Sequence, residues 1–269
     1  MRMRGGTCLF VVFLATWCAG GRAEGTVVLR GEVTVRCEAD APAVCLAADD
    51  LLADLERVLG QPARRVGPDE AAEIVVRIDP AVGGPERWVR QVSADRVTIT
   101  GSDALGAVYG VYEFARSALG VDPLWFWKEL PPEARERVRL AAGRTESVAP
   151  RFRYRGWFVN DEDLLTEWRA PSGPRFIRYP YYGQVISLEV ADRIFEALLR
   201  SGGNLVIPAS FLDVMNPPEA ALVRRAAERG LYVTQHHIEP LGVSHFGFEN
   251  YWRRKGQEKA FRYGSDAES

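Results

Sequence analysis

The chain has 269 residues, of which 47% are hydrophobic and 26% are charged. These proportions are typical of a packed globular protein and exclude a long disordered chain. With 34 basic and 36 acidic side chains the formal net charge is −2. Composition therefore gives no sign of the basic surface that nucleic acid or an anionic membrane would require.

The first 23 residues have the pattern of an export signal. Arg2 and Arg4 precede a short apolar stretch, residues 8–17, and small residues follow as far as Ala23. This order predicts a secretory signal peptide over residues 1–23, and hence a secreted or periplasmic protein. The apolar stretch is about half of the roughly 20 residues that a membrane-spanning helix needs, so we expect no membrane span.

The cysteines leave two questions open. Cys18 could carry a lipoprotein anchor, although the bulky Trp17 stands where such signals prefer a small residue. In an oxidising compartment Cys37 and Cys45 could close a short disulfide loop. Alternatively they are two unpaired buried thiols, the state that we favour. The chain has no C-x-x-C motif and no cysteine–histidine cluster, so a structural zinc site is not predicted.

Residues 24–145 are predicted to form a small α/β sandwich domain. Short β-branched segments predict strands, apolar residues at helical spacing predict one helix that ends at Gly60, and a second helix is predicted with Ser102 or Asp103 as its N-cap. The predicted strands are 27–29, 33–35, 74–78 and a hairpin of 88–92 with 97–100, and the second helix is 105–119. The aromatic segment 121–132 is interpreted as a strap that leads out of this domain, with Trp125 and Trp127 packing between the domains. The charged segment 133–144 is then expected to cross to the second half.

Residues 146–269 are predicted to contain parallel βα units. Strands are predicted at 153–159, 205–207 and 231–234, and helices at 188–200 and 217–229, with Gly230 ending the second helix. This alternation predicts either an open doubly wound sheet or a barrel. No glycine-rich phosphate-binding motif follows these strands, which disfavours a nucleotide-binding protein.

A polar cluster accompanies each of the three predicted strands. The clusters are Asn160, Asp161, Glu162 and Asp163 after the first strand; Ser210 after the second strand, with Asn204 at its start; and Gln235, His236, His237 and Glu239 after the third. Because the carboxyl ends of parallel strands meet at one edge of a sheet, we expect a ligand site there. The alternative for each cluster is a solvated or capping turn.

The histidine cluster could in principle hold a metal, since two imidazoles and a carboxylate are common zinc ligands. However, His236 and His237 are adjacent, and adjacent residues of a strand point to opposite faces. We therefore favour one imidazole that binds a ligand and one that packs, with Glu239 as a hydroxyl acceptor or as an orienting group. No metal and no cofactor is predicted.

The connection between Asn160 and Leu188 is long and rich in aromatic and arginine side chains, among them Trp168 and Tyr181. A long loop without secondary structure of its own is usually functional or disordered, and its aromatic content argues against disorder. Aromatic faces beside polar groups suit a carbohydrate. The alternative is a lid that only packs over the following helix.

Three motifs in order carry a resemblance to a known family. They read Tyr154-Arg155-Gly156-Trp157-Phe158-Val159-Asn160-Asp161-Glu162, Ser201-Gly202-Gly203-Asn204-Leu205-Val206-Ile207-Pro208-Ala209 and His236-His237-Ile238-Glu239-Pro240. Together they resemble glycoside hydrolase family 115, which contains xylan α-1,2-glucuronidases. Upstream, Ile99-Thr100-Gly101-Ser102-Asp103 and Tyr109-Gly110-Val111-Tyr112-Glu113 resemble the small α/β domain that precedes the barrel in this family and in hexosaminidase-like enzymes.

The resemblance implies a fold, an activity and site residues. The fold is a hexosaminidase-like α/β sandwich domain followed by a (β/α)8 TIM barrel. The activity is hydrolysis of O-glycosyl bonds in a plant-type polysaccharide, with release of (4-O-methyl)glucuronic acid from xylan. Glu162 would be an active-site carboxylate, and Asn160, Asp161, His237 and Glu239 would line the sugar subsite. The sequence departs from the family at Asp163-Leu164, at Ser210 and at the inserted Ile238.

Glycoside hydrolysis usually needs two carboxyl groups, one acting as acid and the other as base or nucleophile. Glu162 and Glu239 are the two candidates in this chain, with Asn160, Asp161, Asn204, His236 and His237 as candidate substrate-binding residues. In the resembled family, which inverts configuration, we expect the partner acid on a later strand.

A barrel takes about 250 residues, whereas residues 150–269 provide about half of that number and about three of the eight βα units. We therefore expect the barrel to be truncated and the 269-residue chain to be inactive alone. The competing interpretations are a non-catalytic carbohydrate-binding protein, a decayed enzyme, and a hexosaminidase-type or family 67-type glycosidase.

Overall fold

The computed structural model describes residues 25–160, 165, 176–177, 185–210, 212–236 and 245–259. The predicted signal peptide, Asp161, Glu162, His237 and Glu239 lie outside the described residues. Among the described helices, none is both long enough and apolar enough to cross a membrane.

The described residues form thirteen strands and five α-helices. The strands are β1 (Thr26–Leu29), β2 (Val33–Cys37), β3 (Ala63–Arg65), β4 (Ile74–Ile78), β5 (Trp88–Val92), β6 (Val97–Gly101), β7 (Val138–Ala141), β8 (Gly143–Glu146), β9 (Gly156–Phe158), β10 (Phe176–Ile177), β11 (Val185–Ile186), β12 (Leu205–Ile207) and β13 (Tyr232–Val233). The helices are α1 (Pro42–Leu59), α2 (Ala104–Phe114), α3 (Leu188–Arg200), α4 (Pro217–Glu228) and α5 (His245–Arg254). A 3-10 turn (Pro80–Val82) precedes β5, and a π-helical turn (Ala115–Leu119) continues α2.

The first half of the chain is built on a six-stranded sheet with the order β3-β2-β4-β6-β5-β8. Strands β3, β2, β4 and β6 run parallel, and β5 runs antiparallel to both β6 and β8. Helices α1 and α2 pack against each other and against this sheet. A separate antiparallel pair, β1 with β7, completes the first half.

Helix α1 follows the predicted pattern because Leu51, Leu55 and Val58 share one face and are fully buried. It ends at Gly60, which has the left-handed φ of 63° and donates its N–H to the carbonyl of Glu56. A glycine carries little penalty in this conformation and often ends a helix. Helix α2 begins after Asp103, whose carboxylate accepts from the N–H of Gly106 at 2.7 Å.

The interpretation of residues 121–144 as a strap and a crossing segment is wrong. Strand β7 pairs with β1, and β8 pairs with β5, so the chain returns to the first half after residue 132. Side chains alternate between inside and outside along β7, as in a strand: Val138 is buried and Leu140 packs on the core, while their neighbours face outward. The surrounding charged residues hide this alternation in the sequence. The prediction also lacked β3, an edge strand whose Arg64 and Arg65 are exposed.

The second half contains a three-stranded parallel sheet with the order β13-β12-β9. The parallel pairing and helices α3 and α4 are as the sequence predicts. Strand β9 is shorter than the predicted 153–159, and β13 is shorter than 231–234. Within the described part of the chain β9 and β13 are the edges of this sheet, so a closed barrel stays a prediction.

Two features of the second half differ from the prediction. The connection from Asn160 to Leu188, expected to lack secondary structure, contains the antiparallel pair β10–β11. Helix α5 was not predicted, since its sequence is polar overall.

The two halves share one hydrophobic core, to which β2, β6, α1 and α2 contribute along with α3 and β12. The aromatic segment closes one side of it. The guanidinium of Arg57 lies 4.2 Å from the ring centre of Trp125, and Trp127 donates its indole N–H to the carbonyl of Arg193 at 3.3 Å. Trp125 therefore contacts α1 and Trp127 contacts α3, so the two tryptophans pack at the boundary of the two halves, as predicted.

Candidate functional site

The described parts of the three polar clusters meet at the carboxyl edge of the parallel sheet. Asn160 is exposed two residues after the end of β9, and its backbone carbonyl accepts a hydrogen bond from the hydroxyl of Ser210. The imidazole of His236 lies 4.9 Å from the ring centre of Phe158 with the planes tilted by 49°. Residues at the carboxyl end of β9 thus contact the loops after β12 and β13, at the edge where the sequence predicts a ligand site.

Gln235, the first residue of the third polar cluster, lies two residues after the end of β13. Its side-chain oxygen is buried and has no hydrogen-bond partner among the residues that the structure describes. A buried amide oxygen without a partner costs free energy, and such groups in a folded protein need an explanation. Its position beside His236 makes this oxygen a candidate acceptor for a ligand hydroxyl at the same edge.

A small cavity of about 200 Å³ lies next to this edge, between the loop after β12 and helix α5. Its lining is mostly apolar and includes Leu212, Met215, Phe248 and Tyr251. Asp213 is buried at its wall, where its carboxylate accepts from the N–H of Met215 at 2.9 Å. Aromatic and aliphatic side chains beside a fixed carboxylate can contact both the apolar face and the hydroxyls of a sugar.

The structure corrects the prediction for Asn204. Its side chain is fully buried at the start of β12, at the opposite edge of the sheet from Ser210. The amide oxygen accepts from the N–H of Arg155 at 2.8 Å, and the amide nitrogen donates to Glu86 at 2.9 Å and to the carbonyl of Arg153 at 2.7 Å. With its hydrogen bonds made inside the protein, Asn204 joins the two halves and does not reach the candidate site.

The same edge carries a polar junction between the halves. Arg155 forms an ion pair with Glu86 and donates to the hydroxyl of Tyr109 at 3.0 Å and to the carbonyl of Gly202 at 2.7 Å. The Tyr109 hydroxyl in turn donates to the carbonyl of Gly203 at 2.8 Å. Burial raises the pKa of Tyr109 well above its usual value, so the phenol stays protonated as a donor. A cleft of about 590 Å³ opens beside this junction, but the junction's own polar groups are used within the protein.

A second ionic network, largely buried, fixes α1 and α2 against α3. Arg200 binds Asp54 at 2.7 Å and Glu196 at 2.8 Å, and its guanidinium lies 4.7 Å from the ring centre of Tyr112. Asp50 accepts from the Tyr112 hydroxyl at 2.6 Å.

Arg229, immediately after α4, extends this network. It binds Asp50 at 2.7 Å and Asp192 at 2.8 Å. Two carboxylates from the first half and two arginines from the second are therefore paired across the boundary. Sequence analysis missed the network because its members are far apart in the chain and resemble ordinary charges on helix surfaces.

The charges in the network shift one another's protonation. Burial raises the pKa of Asp54 to about 6, against the opposing charge of Arg200. Burial and the charge of Glu196 likewise raise the pKa of Asp50. Burial also acts to raise the pKa of Glu196, but the charges of Arg200 and Arg193 outweigh it and leave that pKa below its ordinary value.

Across the described residues there is no group of three or more histidine, cysteine, aspartate and glutamate side chains that could hold a metal. His237 and Glu239 lie outside that search.

The fold is a mixed α/β arrangement in which polar loops meet at the carboxyl edge of parallel strands, the class to which many glycoside hydrolases belong. Residues 147–269 match the model of glycosyl hydrolase family 115. The resemblance predicted from the three motifs is thereby confirmed for residues 147–269.

Solved structures agree with this assignment. A family GH115 4-O-methyl-α-glucuronidase with specificity for decorated arabinogalactans is 27% identical, with a TM-score of 0.64 over 78% of this chain and 29% of that chain. A mutant Streptomyces plicatus β-hexosaminidase in complex with GlcNAc is 16% identical, with a TM-score of 0.54 over 80% of this chain and 43% of that chain. The Flavobacterium johnsoniae chitobiase is 15% identical, with a TM-score of 0.51 over 80% of this chain and 32% of that chain.

The two hexosaminidase-type structures show a shared fold alone. The chain spans 29% of the length of the glucuronidase and less than half of the other two. No curated protein matches the chain.

Proposed function

We propose that this chain is part of an exported α-glucuronidase that hydrolyses O-glycosyl bonds in a plant-type polysaccharide and releases (4-O-methyl)glucuronic acid from xylan. The observation that carries the proposal is the family 115 match, because residues 147–269 contain all three polar clusters. The contacts of Asn160 with Ser210 and of His236 with Phe158 support it, since they join the loops that hold the candidate residues.

In the proposed mechanism Glu162 is an active-site carboxylate that follows Asn160 by two residues. Glu239 follows His236 by three residues and is the candidate partner. An inverting hydrolase uses one carboxylic acid to protonate the leaving oxygen and one carboxylate to activate water, with the two carboxyl groups about 6.5–9.5 Å apart. Asp161, His236 and His237 would orient the sugar, and Gln235 would accept one of its hydroxyls.

The apolar cavity beside α5 supports a saccharide ligand at this edge. Met215 and Val214 are about half exposed there, and Phe248 and Tyr251 contribute aromatic surface. Carbohydrates combine apolar ring faces with polar edges, so a mixed lining of this kind suits them. A formal net charge of −2 gives no reason to propose nucleic acid as a ligand.

The test is a substrate panel, with the protein expressed in its native reading frame, including any residues encoded beyond Ser269. The panel contains glucuronoxylan, an acidic arabinogalactan and an aryl β-N-acetylglucosaminide. Release of 4-O-methylglucuronic acid from glucuronoxylan is the expected result. Release from arabinogalactan alone would overturn the xylan assignment but keep the glucuronidase. Cleavage of the N-acetylglucosaminide alone, or sugar binding without any hydrolysis, would contradict the glucuronidase itself.

A further inference from the structure

Cys37 and Cys45 lie side by side in the first half of the chain. Cys37 is the last residue of β2, and Cys45 lies in the first turn of α1. Their sulfur atoms are 3.9 Å apart, and both thiols contact the same backbone carbonyl, that of Ala39, at 3.6 Å and 3.8 Å. Both residues are partly buried and unbridged. The spacing therefore brings two thiols together at one point, away from the candidate site.

We propose that Cys37 and Cys45 form an intramolecular disulfide when the folded protein meets a disulfide oxidant. A disulfide bond is about 2.05 Å long, so each sulfur has to approach by about 1 Å. Rotation about the Cα–Cβ bonds can supply this approach, because a side chain moves between staggered positions without displacing the backbone.

The oxidation balances in two exchange steps. The thiolate of one cysteine attacks the oxidant's disulfide, which forms a mixed disulfide and releases one reduced thiol. The second cysteine then attacks the protein sulfur of that mixed disulfide and expels the other reduced thiol. Two protein thiols are oxidised, one oxidant disulfide is reduced to two thiols, and the two protein hydrogens end on those thiols.

The surroundings suit a structural bridge better than a reactive sensor. Burial and the neighbouring thiol of Cys45 raise the pKa of Cys37, and the hydrogen bond to the carbonyl of Ala39 offsets this only in part. Little thiolate is then present at neutral pH, and a buried disulfide is also less accessible to reductants. Once formed, the bond is expected to persist.

The bridge would stabilise the start of helix α1, which has no side-chain N-cap. Helix α1 starts at Pro42 after Ala41, which provides no side-chain cap. Arg65 holds the same turn by donating to the carbonyl of Cys45 at 2.6 Å. Helix α1 also carries Asp50 and Asp54, so a tether at its start fixes the helix that binds the second half through Arg200 and Arg229.

The test uses the whole chain, purified under native conditions and equilibrated with oxidised glutathione or with dithiothreitol. After alkylation in denaturant, trypsin releases residues 37–57 as one peptide, because Arg36 and Arg57 flank it and no lysine or arginine lies between them. The oxidised sample should yield this peptide without alkyl groups, and its mass should be lower by two hydrogen atoms than that of the same peptide with two free thiols. The reduced sample should yield it with two alkyl groups.

The matched control is the double variant Cys37→Ser and Cys45→Ser, which keeps Cys8 and Cys18. Reduction of the parent chain should lower its Tm by about 5–10 °C, the shift expected for a short disulfide loop in a protein of this size, and should leave the Tm of the control unchanged. Two alkyl groups, or two glutathione adducts, on peptide 37–57 after oxidation would contradict the proposed disulfide. A bridged peptide with no difference in Tm between the oxidised and reduced parent would overturn its stabilising role.

Discussion

Replacing Arg200 with methionine would remove the guanidinium at the centre of the buried network. The side chains of Arg200, Asp54 and Glu196 are each less than 5% exposed, so the two carboxylates would lose a partner that water cannot replace. Breaking a buried pair by removing one partner costs about 3–5 kcal/mol. Asp54 would keep Arg57 at 3.0 Å and Glu196 would keep Arg193 at 2.6 Å, so we expect the lower end, about 3 kcal/mol.

The loss of stability caused by Arg200→Met should depend on pH because Asp54 changes its protonation. Its pKa in the folded chain is already raised to about 6 by burial, above its value of about 3.9 in an unfolded chain, so this group makes folding less favourable as pH rises between the two values. Removal of Arg200 raises the folded pKa further. At about pH 5 Asp54 is mostly protonated in both the parent and the variant. At about pH 8 the carboxylate of Asp54 is paired with Arg200 in the parent, whereas in the variant the same buried carboxylate lacks that partner. The Arg200→Met loss should therefore be larger at the higher pH.

The assay is urea unfolding followed by circular dichroism at the two pH values. Arg116→Met is the matched control, because Arg116 forms an equally short ion pair with Glu113 but is 56% exposed. Exposed pairs contribute less than about 1 kcal/mol. If Arg200→Met costs no more than Arg116→Met, or costs the same at both pH values, the reasoning about the network is refuted.

Two further predictions separate structural residues from surface ones. Asn204→Ala should lower the free energy of unfolding by about 3 kcal/mol, because buried hydrogen-bonding groups lose their partners. Asn160→Ala should change the free energy of unfolding by less than about 0.5 kcal/mol. Equal effects of the two variants in chemical denaturation would contradict the structural role of Asn204. Gly106→Ala would place a methyl carbon 2.2 Å from a backbone carbonyl oxygen, while at Gly67 the nearest side-chain atom would be 3.5 Å away. Overpacking of this kind costs about 1–3 kcal/mol, so we expect a lowered Tm for Gly106→Ala and an unchanged Tm for Gly67→Ala. Similar Tm values for the two variants would contradict the close packing of α2 on this backbone carbonyl.

Local signals in the sequence predicted most regular elements of the first half. Strand β4 and the hairpin of β5 with β6 were predicted from β-branched runs, and the end of α1 from Gly60. Strands β3, β7 and β8 were missed because they are short and carry arginines and glutamates, and their pairing depends on distant partners such as β1 and β5.

The candidate site was predictable only in part. The polar residues after β9 and β13 were predicted from their position at strand ends. Ser210 contacts the loop after β9, and His236 contacts Phe158, the last residue of β9. Asn204 was grouped with them because it is polar and lies next to a predicted strand. Its position at the start of β12, not at the end, puts it at the opposite edge of the sheet. The pairing of Asp54 with Arg200 spans 146 residues, so no local pattern could have predicted it.

The central claim is tested most directly by the kinetics of Glu162→Gln on glucuronoxylan, in the protein expressed from its native reading frame with any residues encoded beyond Ser269. Asp163→Asn is the matched control, because it removes the same charge at the next residue. The account predicts that kcat falls by about 10²- to 10⁴-fold in Glu162→Gln, with the free energy of unfolding unchanged, and that Asp163→Asn keeps the activity of the parent protein. An unchanged kcat in Glu162→Gln would contradict it.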